Sequence, residues 1–338
     1  MTEAITLGEL LIDFVPTVSG VTLIEAPAFQ KAPGGAPANV AAGLARLGVS
    51  VGFMGKVGDD AFGHFLAQTL ADVGVEVSAL RFSAVARTAL AFVSLRADGE
   101  REFMFYRHPS ADMLYTPAEV DVGYIRQARL LHYGSISLIA EPSRSATLRA
   151  VETAREAGLL LSYDPNLRLN LWPDAQAARQ GILLGWPLAQ VIKVSEEEAA
   201  FLAGTGDVEA AARRLWHPEL RLLVVTLGRN GCHYFTPQFS GHVPGFAVEA
   251  VDTTGAGDGF VAGLLKGLLE QPAAFDNQAM LRDICRYANA VGAITTTRRG
   301  AIPALPTAEQ VETFLQQHAG ERDGAKGKKI VTTAATAL

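Results

Sequence analysis

Apolar residues in this chain fall into two rhythms. Short continuous runs at Ile5–Phe14, Val49–Met54, Leu130–Tyr133, Leu159–Tyr163, Val191–Val194 and Leu222–Thr226 read as buried strands. Between them lie stretches of helical spacing: Val40–Leu47, Ala61–Val73, Ser143–Ala157, Asp174–Leu184, Ser195–Ala203 and Val208–Trp216. Gly48 and Gly74 end the first two, and Gly58-Asp59-Asp60 forms a turn that caps the second. Two longer helices, Gly257–Glu270 and Asn277–Thr296, close the pattern, and Thr307 caps a last one. Strand and helix in alternation predict a parallel sheet with helices packed on it. Ligands of such sheets bind off the carboxyl ends of the strands. Asp13, Tyr133-Gly134-Ser135, Asp164-Pro165-Asn166 and Thr226-Leu227-Gly228 are placed at such ends.

Two β-rich stretches interrupt the alternation, near 15–32 and 88–106. Ala89–Leu95 and Arg101–Tyr106 flank Ala97-Asp98-Gly99-Glu100, and Asp-Gly between two such runs is a hairpin signal. These pieces predict a small separate sheet lying over the strand ends. No repeat and no inter-domain linker divides the chain. Beyond Gly320 it turns polar and lysine-containing, so 321–338 is expected to be a disordered tail.

Composition narrows the class. The 338 residues are 49% apolar and 19% charged, which suits a compact soluble enzyme with a large core. A net charge of −6 argues against a nucleic-acid partner. Only Cys232 and Cys285 occur, far apart, so a reducing cytoplasm is the expected compartment. The histidines lack zinc-site spacing, the N-terminus lacks a leader pattern, and no apolar run reaches the ~18 residues of a membrane span.

The candidate chemistry sits at Val251–Phe260. Gly255 and Gly257 flank Ala256, and an apolar helical run follows at once. A glycine loop at a helix N-terminus offers free N–H groups and a favourable dipole to an anion. Asp258 stands inside that loop, where an anion would repel it. A base that takes the proton of a hydroxyl attacking a phosphate gives it a reason to be there. The plainer alternative is a strand-to-helix turn with a capping aspartate. A dinucleotide fingerprint fits less well because Phe260 stands at its third glycine, and the chain has no Walker A loop.

A second glycine corner, Gly34-Gly35-Ala36-Pro37-Ala38-Asn39-Val40-Ala41, and the stretch Asp252–Phe260 together resemble the two signatures of the ribokinase/PfkB carbohydrate kinases. The likeness extends over roughly residues 5–318. Gly8–Thr17, Phe103–Arg107, Tyr163–Arg168 and Gly300–Pro306 resemble plant- and cyanobacterial-type fructokinases in particular.

The resemblance implies a ribokinase-like three-layer α/β/α domain over 1–320. Its central sheet would be mostly parallel, with a small β-sheet lid drawn from about 14–32 and 87–108. It implies ATP-dependent phosphorylation of fructose, with 2-keto-3-deoxygluconate, ribose or a nucleoside as alternative acceptors. A non-catalytic sensor or scaffold is the reading from another class. Asp258 would be the general base, and the amides of Gly255, Ala256 and Gly257 the anion hole. Asp13, Gly34, Gly35, Asn39, Phe105, Arg107 and Arg168 would hold the sugar; Lys193, Thr226, Gly228, Gly231 and Asn289 the nucleotide. Mg²⁺ would bridge the ATP phosphates, with Glu198 in its water network. Ser195 replaces the asparagine that many members carry three residues before that acid. Asp252, Thr254 and Gly300 stand where relatives bind a monovalent cation such as K⁺; Ala304 lacks the side-chain oxygen some have there. Pairing of lids implies a homodimer.

Overall fold

The computed structural model describes residues 2–18, 20–95 and 101–318. Its strands are β1 (Ala4–Leu7), β2 (Leu11–Pro16), β3 (Phe29–Gly34), β4 (Val51–Gly58), β5 (Leu80–Ser83), β6 (Leu90–Leu95), β7 (Arg101–Tyr106), β8 (Leu130–Gly134), β9 (Leu160–Asp164), β10 (Val191–Ser195), β11 (Leu222–Thr226), β12 (Cys232–Phe235) and β13 (Ser240–Val243). The helices are α1 (Ala36–Arg46), α2 (Ala61–Asp72), α3 (Val122–Ile125), α4 (Ser143–Glu156), α5 (Ala175–Gly185), α6 (Glu196–Ala203), α7 (Val208–Leu215), α8 (Ala256–Glu270), α9 (Gln278–Thr296) and α10 (Ala308–Gln317).

Nine strands form the central sheet in the order β13-β12-β11-β10-β9-β8-β1-β4-β5. It is parallel from β5 to β11, and the β12–β13 hairpin adds an antiparallel edge. Alternate residues of its strands enter different cores. Leu222 and Val224 join one with α1, α8 and α9, while Leu223 and Val225 join another with α4, α5, α6 and α7. A strand that is buried on both faces in this way reads as an unbroken apolar run. The three-layer α/β/α arrangement follows, as expected. Among the described residues, no helix is long and apolar enough to cross a membrane.

The second sheet runs β3-β2-β6-β7. One face carries Leu11, Asp13, Val15, Val93 and Phe105 toward a cleft. The other is aromatic: Phe14 stacks on Phe92 with centroids 4.9 Å apart and meets Phe62 of α2 edge-on at 5.8 Å. The lid therefore rests on α2.

Three expectations need correcting. Ile5–Phe14 is not one strand: β1 ends at Leu7, and β2 begins at Leu11 in the other sheet. Both pieces are apolar, so hydrophobicity could not show the break. What makes it is buried Glu9, which turns aside to accept the N–H of Ala36 at 3.0 Å. Asp13 accordingly lies within a lid strand, not at the end of a core strand. The lid starts at Leu11, earlier than 14, and most of 17–28 forms no strand. Strand β5 and the β12–β13 hairpin are not marked by apolar runs; the hairpin's edge position tolerates polar Ser240, His233 and His242. The Asp98-Gly99 turn and the 321–338 tail lie outside the described residues.

Asp60 fastens α2 to the approach of β6. Its Oδ1 accepts from Phe62 N (3.1 Å), Gly63 N (2.9 Å) and Thr88 Oγ1 (2.8 Å), and its Oδ2 from Thr88 N (2.9 Å). Desolvation pushes its carboxyl up, but these donors together hold it below the ordinary carboxylate range. With the folded value depressed, its contribution is present above the unfolded pKa and is lost as pH falls through the folded one. Asp60→Ala is expected to lower stability by about 1–2 kcal/mol in urea unfolding at neutral pH. An unchanged midpoint would count against this fastening.

Candidate active site

Helix α8 begins at Gly255, whose φ of 77° favours glycine. A Cβ there would lie 2.7 Å from the Cβ of Ala301. Asp252 secures the approach: Oδ1 accepts from Thr254 N (2.9 Å) and Thr254 Oγ1 (2.7 Å), and Oδ2 from Gly300 N (2.9 Å). These are the three residues that the resemblance gave to a monovalent cation. The first-turn N–H groups of a helix have no partner within it, so this end presents donors.

Asp258 lies in that first turn, 6% exposed. Its Oδ2 accepts from Asn39 Nδ2 at 2.8 Å and its Oδ1 from Asn166 Nδ2 at 3.3 Å. Desolvation pushes its carboxyl up to about 6; Asn39 opposes this, Asp164 adds to it, and Lys193 and Arg168 oppose it. At neutral pH the group is mostly ionised yet close to its titration range, which suits a general base.

A buried ion pair stands beside it. Lys193 Nζ lies 3.0 Å from Asp164 Oδ2, and both side chains are buried. Burial alone would lower the lysine's pKa, but Asp164 and Glu198 raise it overall, so the amine keeps its charge. A Cβ on Gly257 would come within 3.1 Å of that amine. A fixed cation thus sits against the start of α8, an arrangement that attracts phosphate. Glu198 accepts from Leu167 N at 2.7 Å and Ser195 N at 2.8 Å, while Ser195 Oγ accepts from Glu198 N at 3.2 Å. Ser195 is therefore the cap of α6. Glu198 lines the cleft with its oxygens braced by backbone amides.

These groups face a cleft of about 300 Å³ between the strand ends and the lid. Asp13, Gly35, Asn39, Phe105 and Arg168 line it opposite Asp258. Asp13 is only half-buried by area, yet desolvation pushes its carboxyl up to about 7; Arg168 opposes this, and Asp258 and Asp252 add to it. Gly34 lies beneath Asp13, since a Cβ there would collide with Oδ2 at 2.2 Å.

Other expected residues stand elsewhere. Arg107 is absent from the cleft wall; it is buried in an ion pair with Asp112, to which Ser110 also donates. Thr226, Gly228, Gly231 and Asn289 lie outside this cleft, around the end of β11. Asn289 Nδ2 donates to the carbonyls of Val243 and Pro244, both at 3.2 Å, and the Val243 carbonyl lies 2.0 Å from where a Cβ of Gly231 would be. Asn166, Asp164 and Glu9 were not assigned roles from the sequence. The first two were visible as residues at a strand end and within the fructokinase-like stretch Tyr163–Arg168.

A carboxylate at a helix start, a buried lysine and a lidded cleft suit phosphoryl transfer to a hydroxyl. The pfkB family carbohydrate kinase pattern matches residues 1–308. The chain belongs to this family. Fructokinase-2 of Solanum lycopersicum is 58% identical over 313 residues, covering 92% of this chain and 95% of that protein. The fructokinase of Xylella fastidiosa with bound ATP superposes with a TM-score of 0.85 at 35% identity, covering 94% of this chain and all of that one. A double mutant of the Vibrio cholerae O395 fructokinase, with fructose, ADP and potassium ion bound, also gives 0.85, at 38% identity over 93% of this chain and 98% of that one. The pfkB kinase fold thus carries its ionised groups at the junction of α8, β9 and β10.

Lys193→Met would leave Asp164 buried without its cation and is expected to cost about 3–5 kcal/mol in denaturant unfolding. Adding Asp164→Asn should cost less than the two single effects summed, by about 1 kcal/mol or more. Strict additivity would show that the pair is not coupled.

Proposed function

We propose that this kinase transfers the γ-phosphoryl group of ATP to D-fructose, giving fructose 6-phosphate and ADP. The observation that carries this reading is the buried Asp258 carboxylate, poised between Asn39 of the sugar-side corner and the cationic start of α8. The sugar oxygen attacks the γ-phosphorus as the bond to the ADP oxygen breaks in line, and the hydroxyl proton passes to Asp258. The amides of Gly255, Ala256 and Gly257, with Lys193, stabilise the charge on the transferring group. Asp13 and Asn39 hold sugar hydroxyls, Gly35 lets the ring lie against backbone, and Phe105 covers it from the lid. The nucleotide extends toward Thr226, Gly228, Gly231 and Asn289.

Mg²⁺ would neutralise phosphate charge, bound mainly by phosphate and water. Among the described residues no three acidic, His or Cys groups form a metal cluster; Glu198 lines the cleft, as do Glu9, Asp13 and Asp258. K⁺ would act beside Asp252, Thr254 and Gly300. Chelation of divalent ions should abolish turnover, and replacing K⁺ by a larger organic cation should reduce it.

Substrate choice follows from Arg107. A keto-acid acceptor would draw on both Arg107 and Arg168, but Asp112 already neutralises Arg107 behind the cleft wall. That favours a neutral sugar and the fructokinase names of the plant relatives.

In an ADP-release assay, fructose should exceed ribose, a nucleoside and 2-keto-3-deoxygluconate by about tenfold or more in kcat/KM. Asp258→Asn should lose about 10²–10⁴ in kcat. A different preferred sugar would sink the substrate reading, and an active Asp258→Asn the base. Activity should fall as pH drops through about 6 to 7, where Asp258 and Asp13 become protonated. An acid limb well below that range would contradict both.

We further propose a homodimer formed through the lid, whose Met104 and Tyr106 are 42% and 55% exposed on the side away from the cleft. Light scattering should give twice the chain mass, and Tyr106→Lys should lower it. A monomer at micromolar concentration would refute this.

A further inference from the structure

Asn166 lies on the loop leaving β9 with φ 47°, a left-handed conformation that asparagine tolerates better than most residues. The loop around it is pinned on both sides. Asn166 N donates to Asp164 Oδ1 at 3.1 Å, Asp164 Oδ2 holds Lys193 of β10 at 3.0 Å, and Leu167 N donates to Glu198 of α6 at 2.7 Å. With its backbone so fixed, the carboxamide is directed at Oδ1 of Asp258, 3.3 Å away. The other oxygen, Oδ2, accepts from Asn39, which lines the sugar cleft.

Both amides line the cleft, but they stand in different settings. Asn39 is on α1 beside Gly35, in the sugar-side corner, so an arriving sugar hydroxyl competes with it for Oδ2. Asn166 is on the loop pinned to β10 and α6, so its amide keeps its aim at Oδ1. We propose that Asn166 is a positioning residue that fixes the plane of the Asp258 carboxylate through Oδ1. Oδ2 is then free to exchange the Asn39 N–H for the hydroxyl proton of the substrate. This rests on the reading of Asp258 as the general base. It also explains why the side chain is an amide: an aspartate would tolerate the same backbone but would set a like charge against the base.

The charged groups that face Asp258 are Asp164 from β9, Lys193 from β10, Arg168 from the same loop as Asn166, and Asp13 from the lid. They are unchanged in the variants below, so Asn166→Gly reports loss of the amide, and Asn166→Asp reports that loss together with an added like charge. Asn166→Gly removes the donor and keeps a residue at ease with φ 47°. Asn166→Asp keeps the shape and replaces the donor with a carboxylate.

The pH profile of kcat is measured for both variants with fructose and Mg·ATP saturating, beside the native enzyme and Asp258→Asn. Asn166→Gly is expected to lower kcat by about tenfold or more, with the KM for fructose held within about threefold. The acid limb should rise by roughly half a pH unit or more in Asn166→Gly, which loses a donor to the ionised base, and further in Asn166→Asp, which also sets a like charge against it. Unchanged kcat, or a fall in kcat with an unmoved limb in both variants, overturns the proposal. If Asp258→Asn itself retains native turnover, the underlying assignment of the base fails instead, and the two failures are distinguishable.

Discussion

A carboxylate withdrawn from water, yet kept charged, is the constraint around which this molecule is arranged. Burial of Asp258 pushes its carboxyl up to about 6, and left alone in an apolar setting it would go further. The Asn39 amide, a buried lysine and an arginine restrain it, and Asn166 donates to its other oxygen. They come from three segments: Asn39 from α1, Lys193 from β10, and Asn166 and Arg168 from the loop after β9. The parallel order of β9 and β10 puts the last three at one end of the sheet, and α8 delivers the carboxylate to the same point. The central sheet acts here as a jig that aligns side chains whose sequence positions are far apart.

In the proposed reaction the anion side and the base share one structural element. The helix start that would supply donors to a phosphoryl group carries an aspartate that an anion would repel. Lys193 would reconcile them. It lies against Gly257 on one side and pairs with Asp164 on the other, so a positive charge stands where two negative ones must approach. A Cβ at 257 would press on the amine at 3.1 Å, and glycine leaves that contact open.

Much of this was legible in the sequence because it depends on local rules. Unbroken apolar runs marked the doubly covered strands, and glycine pairs before apolar helices marked both corners of the site. Asp258 was conspicuous because local structure gave it no purpose. What escaped notice depends on contacts distant in sequence. The division between β1 and β2 is set by where Glu9 turns, and the residues on both sides are equally apolar. The Asp164–Lys193 pair spans two strands, so neither residue alone announced a partner. Arg107 looked like a substrate ligand at the end of a lid strand, but Asp112, five residues on, engages it in the interior. Asn289 was marked for the nucleotide, yet its visible bonds brace the backbone at Val243 and Pro244.

The short passage from Leu7 to Leu11 limits how the lid can move. Only Gly8, Glu9 and Leu10 separate an inner strand of the large sheet from a strand of the small one, and Glu9 is buried and bonded to Ala36. Three residues span at most about 10 Å, so the lid is tethered too tightly to swing as a flap. Asp60 ties the approach of β6 to α2 as well, so both inner strands of the small sheet are anchored to the larger body. Asp13 stands two residues past the first anchor, and Phe105 on β7 lies one strand beyond the second. A sugar in the cleft would thus meet a carboxylate placed by the large sheet and a ring placed through α2.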